Sequence, residues 1–151
     1  EFEILAPVSG ELVHLENTND PAFSSRAVGD GVAVVPQEGT VCAPVSGTVA
    51  ALFPTEHALG IMSDDSSAQV MLHIGIDTVK LEGKGFHALV AQGDHVDAGQ
   101  PLVEVDFDAV RAAGFDPTVF VIVCERSENS TLREHASGPV AVKEPVVWLS
   151  E

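Results

Sequence analysis

The stretch Thr55-Glu-His57-Ala-Leu-Gly-Ile-Met-Ser63-Asp-Asp-Ser-Ser67-Ala-Gln-Val-Met-Leu-His73-Ile-Gly-Ile-Asp-Thr-Val79 decides how the rest of the chain is read. Two apolar runs flank residues 63–67, a cluster of Ser and Asp whose short polar side chains bond their own backbone and so favour turns. The pattern predicts a β-hairpin. A turn centred on Asp65 pairs His57 with His73, Leu59 with Met71 and Ile61 with Gln69. Direct cross-strand partners have Cβ atoms roughly 4.5–5.5 Å apart, so in that register the two imidazoles share one small site. A one-residue slip would send them to opposite faces of the sheet.

The same grammar extends outward in both directions. Short apolar runs alternate with Gly, Pro, Asn and Asp, and helical periodicity is nearly absent, which predicts an all-β chain folded as an antiparallel β-sandwich. An internal repeat, Ala6-Pro-Val-Ser-Gly10-Glu-Leu and Ala43-Pro-Val-Ser-Gly47-Thr-Val, places a Pro and a turn Gly just ahead of a strand in each copy, with a fainter echo at Ala136-Ser-Gly-Pro-Val140. Two related halves of one sandwich fit this better than a solenoid. Further strands are expected at residues 32–36, 48–53, 86–91 and 102–105, and a central one, apolar on both faces, at 118–124. Asp106 or Asp108 can cap one short helix through Ala113, with Gly114 at its end. Residues 17–23 read as a loop, and residues 127–135 as at most a turn or two of helix before two closing strands. No linker or low-complexity tract interrupts the pattern, so residues 1–151 are expected to form a single domain.

Composition narrows the function classes. The chain of 151 residues is 45% hydrophobic, enough for a core without staples, and its formal net charge is -16. Such acidity argues against nucleic acid and against direct insertion into an anionic membrane, and favours partners with a basic face. No apolar run approaches the ~20 residues of a membrane span, and no signal peptide opens the chain, which points to a cytoplasmic protein. The first residue is Glu rather than Met, from which trimming of an N-terminal piece is expected. Cys42 and Cys124 sit in apolar surroundings without CxxC spacing and are expected to be reduced thiols.

A lone His in a strand is usually a satisfied polar residue. Two facing each other beside Thr55, with no acidic neighbour on their strand face, point toward chemistry instead. A neutral imidazole is a nucleophile whose phosphorylated form can pass the group onward, provided one ring nitrogen is free because the other donates its N–H to a carbonyl.

These same residues carry a resemblance. The run Val70-Met-Leu-His73-Ile-Gly75-Ile-Asp77-Thr78-Val79, preceded by Thr55-x-His57 and followed by Leu81-x-Gly83-x-Gly85-Phe86, resembles the glucose-family IIA component of the bacterial phosphoenolpyruvate:sugar phosphotransferase system. The similarity runs from Ala6-Pro7-Val8-Ser9-Gly10 to Pro145-Val-Val-Trp148. It departs at Ser67, where the family usually has Gly, at one extra residue in the hairpin, and at Pro21-Ala22, where the family more often has branched apolar residues. The resemblance implies a phosphotransferase that takes a phosphoryl group from the phosphocarrier protein HPr onto His73 and passes it to a cysteine on the IIB domain of a sugar permease. His57 would stabilise the phosphoryl group and Thr55 would orient His57. Phe23, Val28, Phe53, Met71, Ile76 and Val79 match a shallow apolar depression, and Asp20 and Asp77 its acidic rim, where HPr, the IIB domain and possible regulatory target proteins would dock. No cofactor is implied and no intrinsic metal; His57 and His73 could take a zinc only with a ligand from a partner.

Two other readings fit the sequence less well. A zinc-dependent endopeptidase of related β architecture needs an H-x-x-x-D pair together with an H-x-H; His73 and Asp77 have the first spacing, but no H-x-H occurs, which leaves the ligand set incomplete. A lipoyl- or biotinyl-type carrier is suggested by the repeated Ala-Pro-Val-Ser-Gly, but Lys80 and Lys84 lack the flanks of a carrier hairpin tip. His14, His87, His95 and His135 show no ligand spacing and read as surface residues.

Overall fold

The computed structural model describes residues 2–150. The strands, in chain order, are β1 (Phe2–Leu5), β2 (Gly10–His14), β3 (Asp30–Pro36), β4 (Thr40–Cys42), β5 (Gly47–Leu52), β6 (Ala58–Ser63) and β7 (Ala68–Ile74). They continue as β8 (Phe86–Ala88), β9 (His95–Val96), β10 (Pro101–Val105), β11 (Val119–Arg126), β12 (Thr131–Glu134), β13 (Gly138–Val140) and β14 (Pro145–Ser150). Two short α-helices, α1 (Pro21–Ser24) and α2 (Phe107–Ala112), and 3-10 turns at Leu15–Asn17 and Thr78–Leu81 complete the described chain. The fold is the expected antiparallel β-sandwich. An eight-stranded sheet in the order β13-β2-β3-β11-β7-β6-β5-β9 faces two three-stranded sheets, β1-β14-β12 and β4-β10-β8.

Strand alternation on β11 explains why that segment is apolar on both sides. Val119, Val121 and Val123 enter the main core, where they meet Leu59, Ile61, Val70, Leu72 and Ile74 from β6 and β7. Phe120 and Ile122 point to the opposite face, into a smaller cluster with Leu15, Phe23 and Ala33. Successive side chains of a strand leave on opposite faces, so β7 follows the same division, with Met71 and His73 on the side of the second cluster.

The repeat is the signature of a pseudo-two-fold arrangement. Its two copies exchange backbone bonds, Leu5 N–H to Pro44 O and Cys42 N–H to Pro7 O. Their serines make equivalent bonds, Ser9 Oγ accepting from Val142 N–H and Ser46 Oγ from Ala98 N–H. Gly10 and Gly47 open β2 and β5 where a Cβ would overlap the carbonyl oxygens of Val35 and Met62, which is why each copy ends in Gly.

Several local expectations changed. Asp106 caps α2 as foreseen, accepting from Ala109 N–H, and Gly114 follows with φ 90°. Residues 17–23, read as a loop, run into α1, whose Pro21 sits in the first turn and whose cap is Asp20. Residues 127–135, read as possible helix, contain the strand β12, which pairs with β14 and sets Leu132 against Leu149. Cys42 is buried, Cys124 is half-buried, and both are free thiols.

The hairpin forms, but one residue out of the expected register. Its turn holds residues 64–67, four rather than an odd number, so β6 and β7 pair Ala58 with His73, Leu59 with Leu72 and Gly60 with Met71. Asp65 Oδ1 organises the turn by accepting from Ser63 Oγ, Ser67 Oγ and Ser67 N–H.

Candidate functional site

Strict alternation in this register would part the two histidines, yet their rings lie 5.1 Å apart at 86°. The reason is that His57 is not on a strand. It is the last residue of the β5–β6 turn, in which Glu56 takes a left-handed φ of 62° and bonds back to Phe53 O, so its side chain escapes the alternation that begins at Ala58. Its carbonyl still accepts Ile74 N–H at 2.7 Å, which ties the turn to β7. Ala58, the cross-strand neighbour of His73, is small enough to leave the ring of His57 beside it.

His73 sits on β7 between Ala58 and Phe120, its partner on β11. Its Nδ1 faces the carbonyl oxygen of Gly75 at 2.8 Å. A carbonyl can only accept, so Nδ1 carries the proton and Nε2 of the neutral ring keeps its lone pair. The carbonyl reaches this position because Gly75 has φ 80°. A Cβ there would run into Thr78 Cγ2 and lie 3.1 Å from Asp116 O. Thr78 cannot withdraw, being buried with its hydroxyl donating to Ile74 O.

His57 is 3% exposed, and its Nδ1 lies 2.5 Å from Thr55 Oγ1. With the threonine hydroxyl donating, the ring proton stands on Nε2. Thr55 thus lies against the His57 ring from within the turn rather than from a strand face. Phe53 meets the His57 ring edge-on at 5.5 Å.

Both rings are held neutral at pH 7. Burial pushes His57 down from 6.5 to about 4, with a further contribution from His73. Burial also lowers His73, against the opposing pull of the Gly75 hydrogen bond and of the charges on Asp20 and Asp77. A pair of neutral imidazoles, one with a free nitrogen and the other able to offer an N–H, suits nucleophilic attack on phosphorus with stabilisation of the transferred group.

The surroundings divide into floor and rim. Phe23 is buried, stacks on Phe120 at 4.5 Å and lies 5.2 Å from the His73 ring, so it supports the site from beneath instead of presenting itself to a partner. Met71 and Ile76 pack half-buried against the same cluster. Phe53 at 46%, Val79 at 49% and Val28 at 39% are among the few large apolar side chains left exposed, together with Val35 and Leu89. Asp77 is exposed and left-handed at φ 61°, heading the Thr78–Leu81 turn; Asp20 accepts from Ala22 N–H at the start of α1. Sequence reading missed Phe120, which appears there only as one member of a buried strand. It also missed Gly75, whose φ could have been suspected from the Ile-Gly-Ile break in an apolar run.

The other histidines lie elsewhere. His95 pairs with Asp64 across the exposed surface, His14 Nε2 faces His135 O, and His135 pairs with Glu144 beside Trp148. Among the described residues no cluster of three or more His, Cys, Asp or Glu side chains could hold a metal. No helix among them is long and apolar enough to cross a membrane.

Residues 2–129 match the family model described as phosphoenolpyruvate-dependent sugar phosphotransferase system, EIIA 1. The chain is 42% identical over 144 residues to the PTS system glucose-specific EIICBA component of Streptococcus pneumoniae, covering 95% of this chain and 20% of that protein. It is 42% identical over 147 residues to the beta-glucoside-specific EIIBCA component of Bacillus subtilis, covering 97% and 24%. To the N-acetylglucosamine-specific EIICBA component of Klebsiella pneumoniae it is 44% identical over 138 residues, covering 91% and 21%. The chain thus spans about a fifth to a quarter of the length of these relatives. Among solved structures, the glucose permease IIA from Mycoplasma capricolum superposes with a TM-score of 0.88 at 35% identity, covering 97% of this chain and 94% of that one. A match running from β1 to the approach of β12, on a fold shared nearly end to end with a glucose permease IIA, means that the chain belongs to the EIIA 1 family of the phosphoenolpyruvate-dependent sugar phosphotransferase system.

Proposed function

We propose that this domain accepts a phosphoryl group from phospho-HPr on Nε2 of His73 and passes it to a cysteine of a IIB domain during sugar uptake, in the cytoplasm. The observation that carries this reading is the Nδ1 contact of His73 with Gly75 O, which leaves Nε2 as the one free nucleophilic nitrogen beside a second neutral ring. In the first step the Nε2 lone pair forms a bond to phosphorus as the bond to the donor breaks, and the donor keeps that electron pair. His57 donates Nε2–H to the phosphoryl oxygens, held in that tautomer by Thr55. In the second step a IIB thiolate attacks phosphorus and the electron pair returns to Nε2 of His73. The IIB partner is supported by the relatives, whose names join IIB and IIA in one component. Relatives of comparable identity are named for glucose, beta-glucoside and N-acetylglucosamine, so sugar choice rests with other domains. The exposed Phe53 and Val79 with Asp77 form the docking face for HPr, for the IIB domain and for any regulatory target.

The test is incubation with phosphoenolpyruvate, enzyme I and HPr. One acid-labile, base-stable phosphoryl group should appear and His73→Ala should abolish it. Phosphate mapping to another residue would sink the assignment.

A further inference from the structure

The Nδ1 proton of His73 has a partner only while residues 75 and 76 are held in place, and these lie beyond the last strand pair of β7 and β11, Ile74 with Val119. Two backbone bonds carry the pairing further: Gly75 N–H to Thr118 O at 2.8 Å and Ile76 N–H to Asp116 O at 2.9 Å. The receiving segment is Asp116-Pro117-Thr118, whose central residue has no N–H with which to bind anything. Its shape is set by the Asp116 carboxylate. Oδ1 accepts Thr118 N–H at 2.9 Å and the Thr118 hydroxyl at 2.5 Å. Oδ2 accepts the side-chain amide of Asn19 at 3.0 Å. Asn19 in turn precedes Asp20, the cap of α1, which carries Phe23 against the His73 ring.

One carboxylate therefore joins the turn that supplies the Gly75 carbonyl to the helix that supplies the floor of the site, without touching either histidine. We propose that Asp116 is a positioning residue for the phosphoryl acceptor, fixing the tautomer and orientation of His73 through Thr118 and Asn19. The proposal rests on His73 being the acceptor. Partial burial opposes ionisation of Asp116, but the bonds from Thr118 and Asn19 outweigh it and hold the carboxyl below its usual range, so the acceptor oxygens remain available at neutral pH.

The experiment compares the imidazole tautomer of His73 with phosphoryl uptake, on the 15N-labelled unphosphorylated chain and with enzyme I and HPr respectively. Wild-type His73 should be the Nδ1–H tautomer at neutral pH. Asp116→Ala should give a mixture of tautomers and slow uptake on the order of ten- to a hundredfold, as expected when a reacting group loses its alignment. Asp116→Asn keeps an acceptor for Thr118, and Asn19 can meet its amide by rotating its own, so this variant should recover the wild-type tautomer and most of the rate. Should the alanine variant fail to fold, Asp116→Glu decides: it keeps the charge, but its extra methylene moves the carboxylate off Thr118, and the Nδ1–H preference should be lost. The proposal is overturned if Asp116→Ala or Asp116→Glu keeps the wild-type tautomer, whatever its rate, or if wild-type His73 lacks the preference. A wild-type chain that takes no phosphate would remove the functional reading, while the tautomer comparison would still decide on Asp116.

Discussion

Replacing Gly75 by Ala tests how the surroundings of His73 are built. Gly75 has φ 80°, and an L-residue in the left-handed region loses about 1–2 kcal/mol against Gly. The added methyl also meets Thr78 Cγ2 and lies 3.1 Å from Asp116 O. Neither neighbour yields easily, because the Thr78 hydroxyl holds Ile74 O at 2.5 Å and Asp116 O holds Ile76 N–H at 2.9 Å. Overpacking of this kind adds roughly 1–3 kcal/mol, for a combined loss of about 2–5 kcal/mol. Relief by rotation of the 75–76 peptide would carry the Gly75 carbonyl away from His73 Nδ1, so phosphoryl uptake by the folded fraction should also slow. Urea denaturation of both chains, read by far-UV circular dichroism, gives the stability difference; uptake is measured in the native baseline. A loss below about 1 kcal/mol would refute the claim that Gly75 is required by its backbone angle and its crowding.

Three further outcomes are expected. The depressed pKa of His57 means that the unfolded chain binds a proton the folded one refuses; its contribution to stability is complete above pH 6.5 and is lost as pH falls toward about 4, so the difference in acid stability between wild type and His57→Gln should develop within that window. If His57 acts on the phosphoryl group and not on the incoming donor, as proposed, the same His57→Gln variant should still accept phosphate from HPr but transfer it poorly to a IIB domain; in a coupled sugar-phosphorylation assay, unimpaired turnover or complete loss of acceptance counts against this. Phe53→Ala and Val79→Ala should each weaken HPr binding by on the order of 1 kcal/mol with little change in salt dependence, whereas Asp77→Asn should flatten that dependence, as titration calorimetry at several ionic strengths would show.

The sandwich, the repeat and the histidine hairpin were legible because each rests on local chemistry: turn formers, Pro and Gly at strand starts, and alternation. The register was not, because Ser63-Asp-Asp-Ser-Ser67 is compatible with turns of different length, and only the set of bonds to Asp65 selects the four-residue one. His57 and His73 meet for a different reason than the hairpin pattern suggested, namely the left-handed turn at Glu56, a conformation that nothing in Pro54-Thr-Glu-His57 announces. The short α1 was hidden for want of an apolar period in four residues, although Asp20-Pro21 is a helix-start signal. Phe120 and Asp116 act on His73 from elsewhere in the chain, through strand pairing and side-chain bonds that a linear reading cannot supply.

If the Gly75 carbonyl leaves Nε2 of His73 as the free nucleophile, as proposed, the nitrogen that carries the phosphoryl group is fixed. Phosphorus–nitrogen couplings measured on the 15N-histidine-labelled, phosphorylated chain should place the phosphoryl group on Nε2 of His73. Phosphorus bonded to Nδ1 of His73, or to either nitrogen of His57, would contradict the account.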